Sequence, residues 1–360
     1  MSRQFLLFTI LVFFTGLYLG TLRIVIPVFQ AQINIASSLA LLLPLVSFGF
    51  VKGLFNYVAG KLSDDLGRKR ILIIGWVVAL VSITLFLNVN IVTIVALSIL
   101  LAINQALTWT TTVTSQIDIG GKSRAGLATG INEMSGYLGV AVGNVMASSF
   151  LKWSYLLELS ISAIALLCSI YALETKGLIK NDPQVKVRHV GITRISVAGL
   201  LEKFVDSSYF ILIPTYLLLN RYSLVEIGFV VSVYAFTWSL SQPLFGYLAD
   251  NGKRKLILSL GFSLMFVGFL RFQISPLLFS IVEGLGMGMV YPNLIAAVND
   301  KVEESVRGKT LGYYRLYRDS GYGVAGLTLP VLFSSLGFNE TLLIVGLFQL
   351  LGLLMILRGY

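Results

Sequence analysis

The chain has 360 residues, of which 56% are apolar and only 12% charged, with a formal net charge of +10. A soluble domain carries roughly a quarter charged residues, so this composition excludes an ordinary water-exposed fold and indicates one embedded in a membrane. The basic excess would elsewhere suggest nucleic acid, but here it lies in short segments between long apolar runs, facing lipid headgroups.

The first apolar run, Phe5 to Pro27, follows Arg3. It is longer than the core of a secretory signal and is not followed by a small-residue cleavage site, so it reads as a first span. Further runs fall at 38–59, 71–88, 91–114, 125–149 and 154–173. A hydrophilic stretch, 174–194, too short for a domain, then precedes six more at 195–219, 224–248, 256–272, 276–298, 309–333 and 338–357. Backbone groups cannot go unpaired in lipid, so each run is expected to be a helix. The predicted organisation is an N-terminal six-helix bundle at 1–173, a linker at 174–194 and a C-terminal six-helix bundle at 195–360.

Basic residues orient the spans. With the N-terminus inside, the cytoplasmic segments hold Lys61, Arg68, Lys69, Arg70, Lys122, Arg124, Lys176, Lys180, Lys186, Arg188 and Arg194 in the first half and linker. Lys253, Arg254, Lys255, Lys301, Arg307, Lys309 and Arg358 continue the series, whereas the opposite side keeps little beyond Lys152, Arg221 and Arg271. This asymmetry predicts a multi-pass protein of the cell (inner) membrane with both termini cytoplasmic. Cys168 and His189 are each the single residue of their type. They leave no basis for an intramolecular disulfide or a thiolate metal site, and no cofactor is expected.

The chain repeats itself at about half its length. GKLSDDLGRKR at 60–70 matches GYLADNGKRK at 246–255, and NEMSGYLGVA from Asn132 matches YRDSGYGVAG from Tyr317. The second match aligns Gly136 and Tyr137 with Gly321 and Tyr322, and sets Glu133 opposite Arg318. Arg23–Pro27 and Phe210–Pro214 are a third echo in the same order. Duplicated halves related by an axis along the membrane normal are one known construction for a rocking transporter.

With Gly60, Leu62, Asp64, Gly67, Arg68 and Lys69, and the degenerate copy Gly246, Leu248, Asp250, Gly252 and Arg254, the chain resembles the major facilitator superfamily. The resemblance covers the whole chain and implies an all-α membrane protein of twelve transmembrane helices in two pseudo-symmetric six-helix bundles. It implies that Asp64 docks on the start of the eleventh helix near Gly308, and that Arg68 bridges to Asp118 at the end of span four. The two would form a latch that shuts the cytoplasmic side. Helix N-termini favour a nearby carboxylate because their N–H groups are unpaired. Lys69 and Arg70 read as topology anchors. The sequence departs from the antiporter pattern, since span four carries Asn104 and Gln105 where many drug/proton antiporters have an arginine and span five lacks a Gly-Pro pair.

Ten ionisable residues fall well inside the spans: Arg23, Lys52, Lys203, Arg315 and Arg318, with Glu133, Glu202, Asp206, Glu283 and Asp319. Each costs about 2.5–3.5 kcal/mol at a helix centre on insertion scales, so each should face the bundle interior, a partner or water. By the family resemblance, spans one, four, seven and ten line a central cavity, which places Arg23, Asn104, Glu202, Asp206 and Glu283 on or near it. Glu202 and Asp206 share a face of span seven, with Lys203 near enough to neutralise one of them, and Arg315 and Asp319 have the same spacing in span eleven. Lys52 and Asp319 lie at comparable depth, and the resemblance, which makes spans two and eleven neighbours, implies that they pair across the halves when the cytoplasmic side is closed. Asp206, Glu202 and Glu133 are the candidates for proton coupling, in that order. Tyr137, Trp238 and Tyr322 read as cavity lining or as packing. The small residues Gly139, Gly143 and Ala147, and Gly49 with Gly53, read as close helix contacts.

The predicted function is secondary active transport of a small solute by rocker-switch alternating access, with proton coupling. Facilitative uptake of a polar metabolite and a transporter-like receptor are the alternatives. A membrane-embedded enzyme would need a clustered catalytic set that His189 alone does not supply, and Gly284, Gly286 and Gly288 lack the Lys-Ser/Thr of a phosphate loop. The expected partners are a small-molecule substrate, protons and the lipid bilayer, with no nucleic acid, and the chain is expected to be monomeric.

Overall fold

The computed structural model describes residues 2–32, 38–121, 124–175, 189–302 and 306–359. The linker expected at 174–194 is described only at its two ends; Lys176, Lys180, Lys186 and Arg188, like Lys122, lie outside the described residues. Helices Arg3–Gln32 (α1), Ser38–Leu66 (α2), Arg68–Ser82 (α3), Ile91–Gly120 (α4), Ala125–Ser149 (α5) and Ser154–Ile170 (α6) make the first bundle. The second begins with α7, which runs as His189–Ser207, passes through a π-helical turn at Ser208–Leu212 and ends as Ile213–Leu219. It continues with Leu224–Leu248 (α8), Arg254–Arg271 (α9), Pro276–Asp300 (α10), Arg307–Leu336 (α11) and Phe338–Gly359 (α12).

Several helices overrun the apolar runs, because a helix satisfies its own backbone whether or not its ends stay in hydrocarbon. The α2 helix continues to Leu66 and α4 to Gly120, carrying Asp64 and Asp118 beyond the apolar core. Among the described residues, eight stretches are long and apolar enough to cross a membrane on composition alone, one of them running through both α8 and α9. The helices that fall short are α5, α7 and α11. Their interior positions hold the charges: Glu133 in α5, Glu202, Lys203 and Asp206 in α7, and Arg315, Arg318 and Asp319 in α11.

Packing repeats with two-fold symmetry. In the first bundle α1 lies against α5 and α6, and α4 against α2 and α3; in the second α7 lies against α11 and α12, and α10 against α8 and α9. The bundles meet along α2 with α11 and along α5 with α8, which are equivalent pairs under the repeat. Buried apolar residues divide into one large cluster centred on each bundle. The outward face is apolar as well. On α12, Leu343, Leu347, Leu351, Leu354 and Leu357 are exposed at helical spacing, and Leu156, Leu159, Ile164 and Leu167 do the same on α6. An apolar belt of this kind is what lipid, rather than water, would cover.

Helix starts differ between the two faces. Asn90 and Thr93 form a reciprocal capping box at the start of α4, and Ser223 and Glu226 do so at α8. Glu226 lies exposed outside the apolar stretch, and hydrogen bonds from the Ser223 backbone and hydroxyl hold its carboxyl below the usual range. On the opposite face, which carries the repeated glycine–aspartate motif, neither α5 nor α11 has a side-chain cap from its own N-cap residue.

Small residues set the closest approaches. A Cβ on Gly139 would lie 2.2 Å from the Phe13 carbonyl oxygen, and one on Gly143 would lie 2.4 Å from that of Leu17, so α1 and α5 touch backbone to backbone. Gly326, by contrast, would meet only side chains at 3.7 Å. We expect Gly139→Leu to lower stability by roughly 1–3 kcal/mol or more through overpacking. Gly326→Ala should leave it nearly unchanged, as read by thermal unfolding of the detergent-solubilised protein. Equal melting of the two variants would refute the close α1–α5 contact.

Candidate functional site

Two clasps join the bundles on the motif face. Asp64, at the end of α2, accepts hydrogen bonds from the backbone N–H groups of Gly308 (3.0 Å) and Lys309 (2.6 Å), capping α11 from the other bundle. Asp250, in the equivalent place after α8, accepts from Gly126 (2.9 Å) and Leu127 (2.9 Å), capping α5. Each missing local cap is therefore supplied across the bundle interface, where the N–H groups and the helix dipole both favour an anion. The approach is tight enough to require glycine. A Cβ on Gly60 would sit 2.0 Å from the Gly308 carbonyl oxygen, and one on Gly246 would sit 2.3 Å from that of Gly126. Gly67 and Gly252 serve a different need, turning the chain at φ of 100° and 80°.

Arginines lock the aspartates. Arg68 donates to Asp64 (2.5 Å) and Ser63 (2.9 Å), and its Nε reaches Asp118 at 3.2 Å. Arg254 pairs with Asp250 and with Asp300, completing the same triangle in the second half. Arg307 crosses from α11 to Asp118, an inter-bundle pair that the motif does not announce. Glu174 accepts from the backbone of Arg68 (2.8 Å) and Lys69 (3.2 Å), while the Lys69 ammonium donates to the Ile170 carbonyl (2.6 Å), tying α3 to α6.

Deeper in the protein, charged side chains from α1, α2, α5, α7 and α11 form one layer. Arg315 donates to Glu133 at 2.9 Å, and the Trp109 indole donates to the other oxygen of that carboxylate at 2.9 Å. Arg318 grips Glu202 with two nitrogens at 2.9 and 3.1 Å, reaches Asp319 at 2.9 Å and lies 3.6 Å above the Tyr291 ring. Asp319 also accepts from Asn56 at 2.7 Å, whose amide oxygen accepts from Thr110 at 2.9 Å. Lys203 pairs with Asp206 at 2.6 Å within α7. Tyr322 bonds to Asp206 and accepts from Arg23 at 3.3 Å, so it joins α1, α7 and α11. Lys52 stands 3.9 Å from Asp319.

The structure brings eight of the ten intramembrane charges named above together with Arg23 as the ninth member at their edge, and leaves Glu283 apart. Glu283 turns toward α9, where a Cβ on Gly268 would lie 2.3 Å from its oxygen. Asn104 likewise turns away, donating to the Gly75 carbonyl on α3 at 2.9 Å. These two are corrected from the central cavity to helix–helix seams. The Arg315–Asp319 pairing within α11 also fails to form: Arg315 reaches α5, and Asp319 is taken up by its neighbour Arg318. Glu133 pairs with Arg315 rather than with Arg318, its counterpart in the repeat. Sequence reasoning missed Asn56, Asp300 and Arg307, and also Glu158, which is fully buried near the start of α6. The second echo, which aligns Tyr322 with Tyr137, was the available signal for Tyr322. Tyr137 packs at 4.1 Å on Trp238 and at 5.5 Å on Trp109, lining the same layer with aromatic rings.

A family model described as Major Facilitator Superfamily matches residues 8–326. The chain belongs to the Major Facilitator Superfamily. It is therefore a membrane transporter by family rather than an enzyme. The Quinolone resistance protein NorA of Staphylococcus aureus (strain MRSA252) is 28% identical over 115 residues, 29% of this chain, and the match spans only 30% of that protein's length. The human organic anion transporter MFSD10 (TETRAN) superposes with a TM-score of 0.84 at 14% identity, covering 99% of this chain and all of that one (100%). FucP, a Major Facilitator Superfamily transporter solved in the outward conformation, superposes with a TM-score of 0.82 at 13% identity, covering 100% of this chain and 99% of that one. At these identities the superpositions show the fold. The superfamily chain described here has its motif-face clasps shut.

If each clasp acts as a cap in trans, Asp64→Ala should destabilise the first turn of α11 by about 0.5–2 kcal/mol, the usual worth of an N-cap. Amide hydrogen exchange should then quicken at Gly308 and Lys309 but not at Gly126 and Leu127, and Asp250→Ala should give the mirror-image pattern. Unchanged exchange at both turns would mean that the carboxylates do not hold the bundles together.

Proposed function

We propose that the protein is a proton-coupled secondary active transporter that carries a small solute across the cell (inner) membrane by rocking its two bundles about the central charged layer. The bundles correspond to residues 1–173 and 195–360, joined by the linker at 174–194, whose last residues, 189–194, already form the start of α7. The motif face and both termini are cytoplasmic in this reading, in keeping with the distribution of lysine and arginine. One observation carries it: paired charges buried between the bundles lie behind two equivalent clasps that close one face only at their aspartates. The shut clasps correspond to a state closed toward the cytoplasm. Releasing Asp64 from α11 and Asp250 from α5 opens that side, and the residues assigned to this gate are Gly60, Asp64, Gly67, Arg68, Asp118, Asp250 and Arg254. The substrate and coupling pathway is assigned to Arg23, Lys52, Glu133, Glu202, Asp206, Arg315, Arg318 and Asp319.

Proton coupling is assigned to Asp206. Its carboxylate holds Lys203 and Tyr322, and through Tyr322 it meets Arg23. A proton taken up there would cancel the charge that orders all three, loosening the junction of α1, α7 and α11. Glu202 and Glu133 are each gripped by one arginine and follow it as candidates. FucP is a fucose:proton symporter of E. coli, which supports the coupling by analogy of fold.

Proteoliposomes loaded with the pH indicator pyranine test this reading. Addition of a transported solute should move protons with the wild type, and an imposed pH gradient should drive solute accumulation. Asp206→Asn should retain downhill solute exchange but lose the response to the gradient. Wild-type dependence on the gradient in that variant would remove Asp206 from the coupling role, and absence of flux with every solute would leave a receptor rather than a carrier.

A further inference from the structure

We propose that the solute is a small organic anion with a planar or aromatic body, and that the Lys52 ammonium receives its anionic group. The inference rests on the transporter reading above and deepens it. Charge is the first ground. Around the centre Lys52, Lys203, Arg315 and Arg318 are buried against Glu133, Glu202, Asp206 and Asp319, and Arg23, half-buried at the edge, adds one further cation.

The second ground is which cation lacks satisfaction. Arg315, Arg318 and Lys203 each hold a carboxylate at hydrogen-bond distance, at 2.9, 2.9 and 2.6 Å. Lys52 does not. Its nearest carboxylate, Asp319, is 3.9 Å away and already accepts from Arg318 and Asn56. No hydrogen bond joins the Lys52 ammonium to any described residue, although the side chain is only 9% exposed. Besides Asp319, the charges that act on it most are those of Lys203, Arg315 and Arg318. An ammonium with three donors, no hydrogen bond and a small accessible surface is a receptor for an acceptor group.

The third ground is the wall around it. The Lys52 ammonium lies 5.5 Å from the Phe48 ring centroid and 5.4 Å from that of Trp109. Trp109 continues into Tyr137, and Tyr137 into Trp238 and Tyr291, with centroid separations of 5.5, 4.1 and 6.4 Å. Tyr137, the half-buried ring of this row, would offer its face to a flat apolar body once the charged group is held. A carboxylate, a sulfonate or a phosphate ester would satisfy Lys52 equally, and the shared feature is a compact oxyanion on an aromatic frame. Binding there would compete with Asp319 for the ammonium and so act on the α2–α11 seam between the bundles.

The test uses the purified full chain in nanodiscs with a matched panel: benzoate, 1-naphthoate, benzenesulfonate and phenyl phosphate as anions, benzamide as the neutral isostere and benzylammonium as the cation. Thermal-shift titration should show stabilisation by at least one anion and none by benzamide or benzylammonium. Lys52→Gln should weaken that anion by about ten-fold or more, as expected when a charge-assisted bond is lost. Lys52→Arg should restore most of the affinity, and Asp319→Asn, which removes the competing carboxylate while keeping one acceptor oxygen of the two that Asn56 and Arg318 use, should strengthen binding. Stabilisation by benzylammonium equal to that by the anions, silence across all the anions, or undiminished anion binding by Lys52→Gln would each overturn the proposal. Gradient-driven flux of a neutral or cationic solute would sink the anion assignment alone, whereas no flux with any solute would sink the transporter reading beneath it.

Discussion

A buried group that stays ionised must find its counter-charge within the reach of its own side chain, and that constraint organises the centre of this molecule. The α11 helix shows it most plainly. Arg315 reaches Glu133 on α5, Arg318 reaches Glu202 on α7, and Asp319 accepts from Asn56 on α2. A single helix thereby fixes its rotation against three others, two of them in the opposite bundle. Removing one partner of such a pair typically costs 3–5 kcal/mol because the other is left buried and uncompensated. Apolar packing alone could not confer that specificity, since lipid tails are as good a neighbour for leucine as another helix is.

The clasps obey a different economy. Asp64 and Asp250 bind backbone N–H groups that belong to helix ends on the motif face, close to where water can replace them. Each is a cap worth on the order of 1 kcal/mol, small beside the central pairs. Closure of the motif face is thus distributed over two weak and equivalent contacts, while the stronger central pairs hold the bundles in register. The glycines at 60 and 246 fit this purpose: they bring the helix backbones into contact, so the carboxylates reach the N–H groups without intervening side chains.

Much of this was legible in the sequence, for identifiable reasons. Twelve helices follow from apolar runs because lipid forces each run to satisfy its own backbone, and α5 and α8 begin and end where the runs do. The docking of Asp64 near Gly308 was readable because a motif fixes both the residue type and the turn. What was not legible is helix rotation. Burial identifies Asn104 and Glu283 as interior residues, yet one faces α3 and the other α9, and nothing in the local sequence distinguishes those seams from the centre. Arg307 looks like one more basic residue at a helix start until Asp118 is placed beside it. Glu158, near the beginning of its apolar run, is buried where α6 packs against α1, and nothing in the local sequence marks it.

The contrast between symmetric clasps and an asymmetric centre has a physical basis. Arg315 of α11 meets Glu133 of α5 across the bundle interface, and like charges at these two places would lie together in a low-dielectric layer, where repulsion is strongest. The α5 and α11 helices avoid this by differing in sign: Glu133 stands where its repeat partner is Arg318, while the neighbouring tyrosines, Tyr137 and Tyr322, are the same in both halves. The neutral residues preserve the duplicated shape, and the charged residues make its two copies complementary. At the clasps no such conflict arises, because each aspartate meets a helix N-terminus rather than its own counterpart, and the same motif can serve twice.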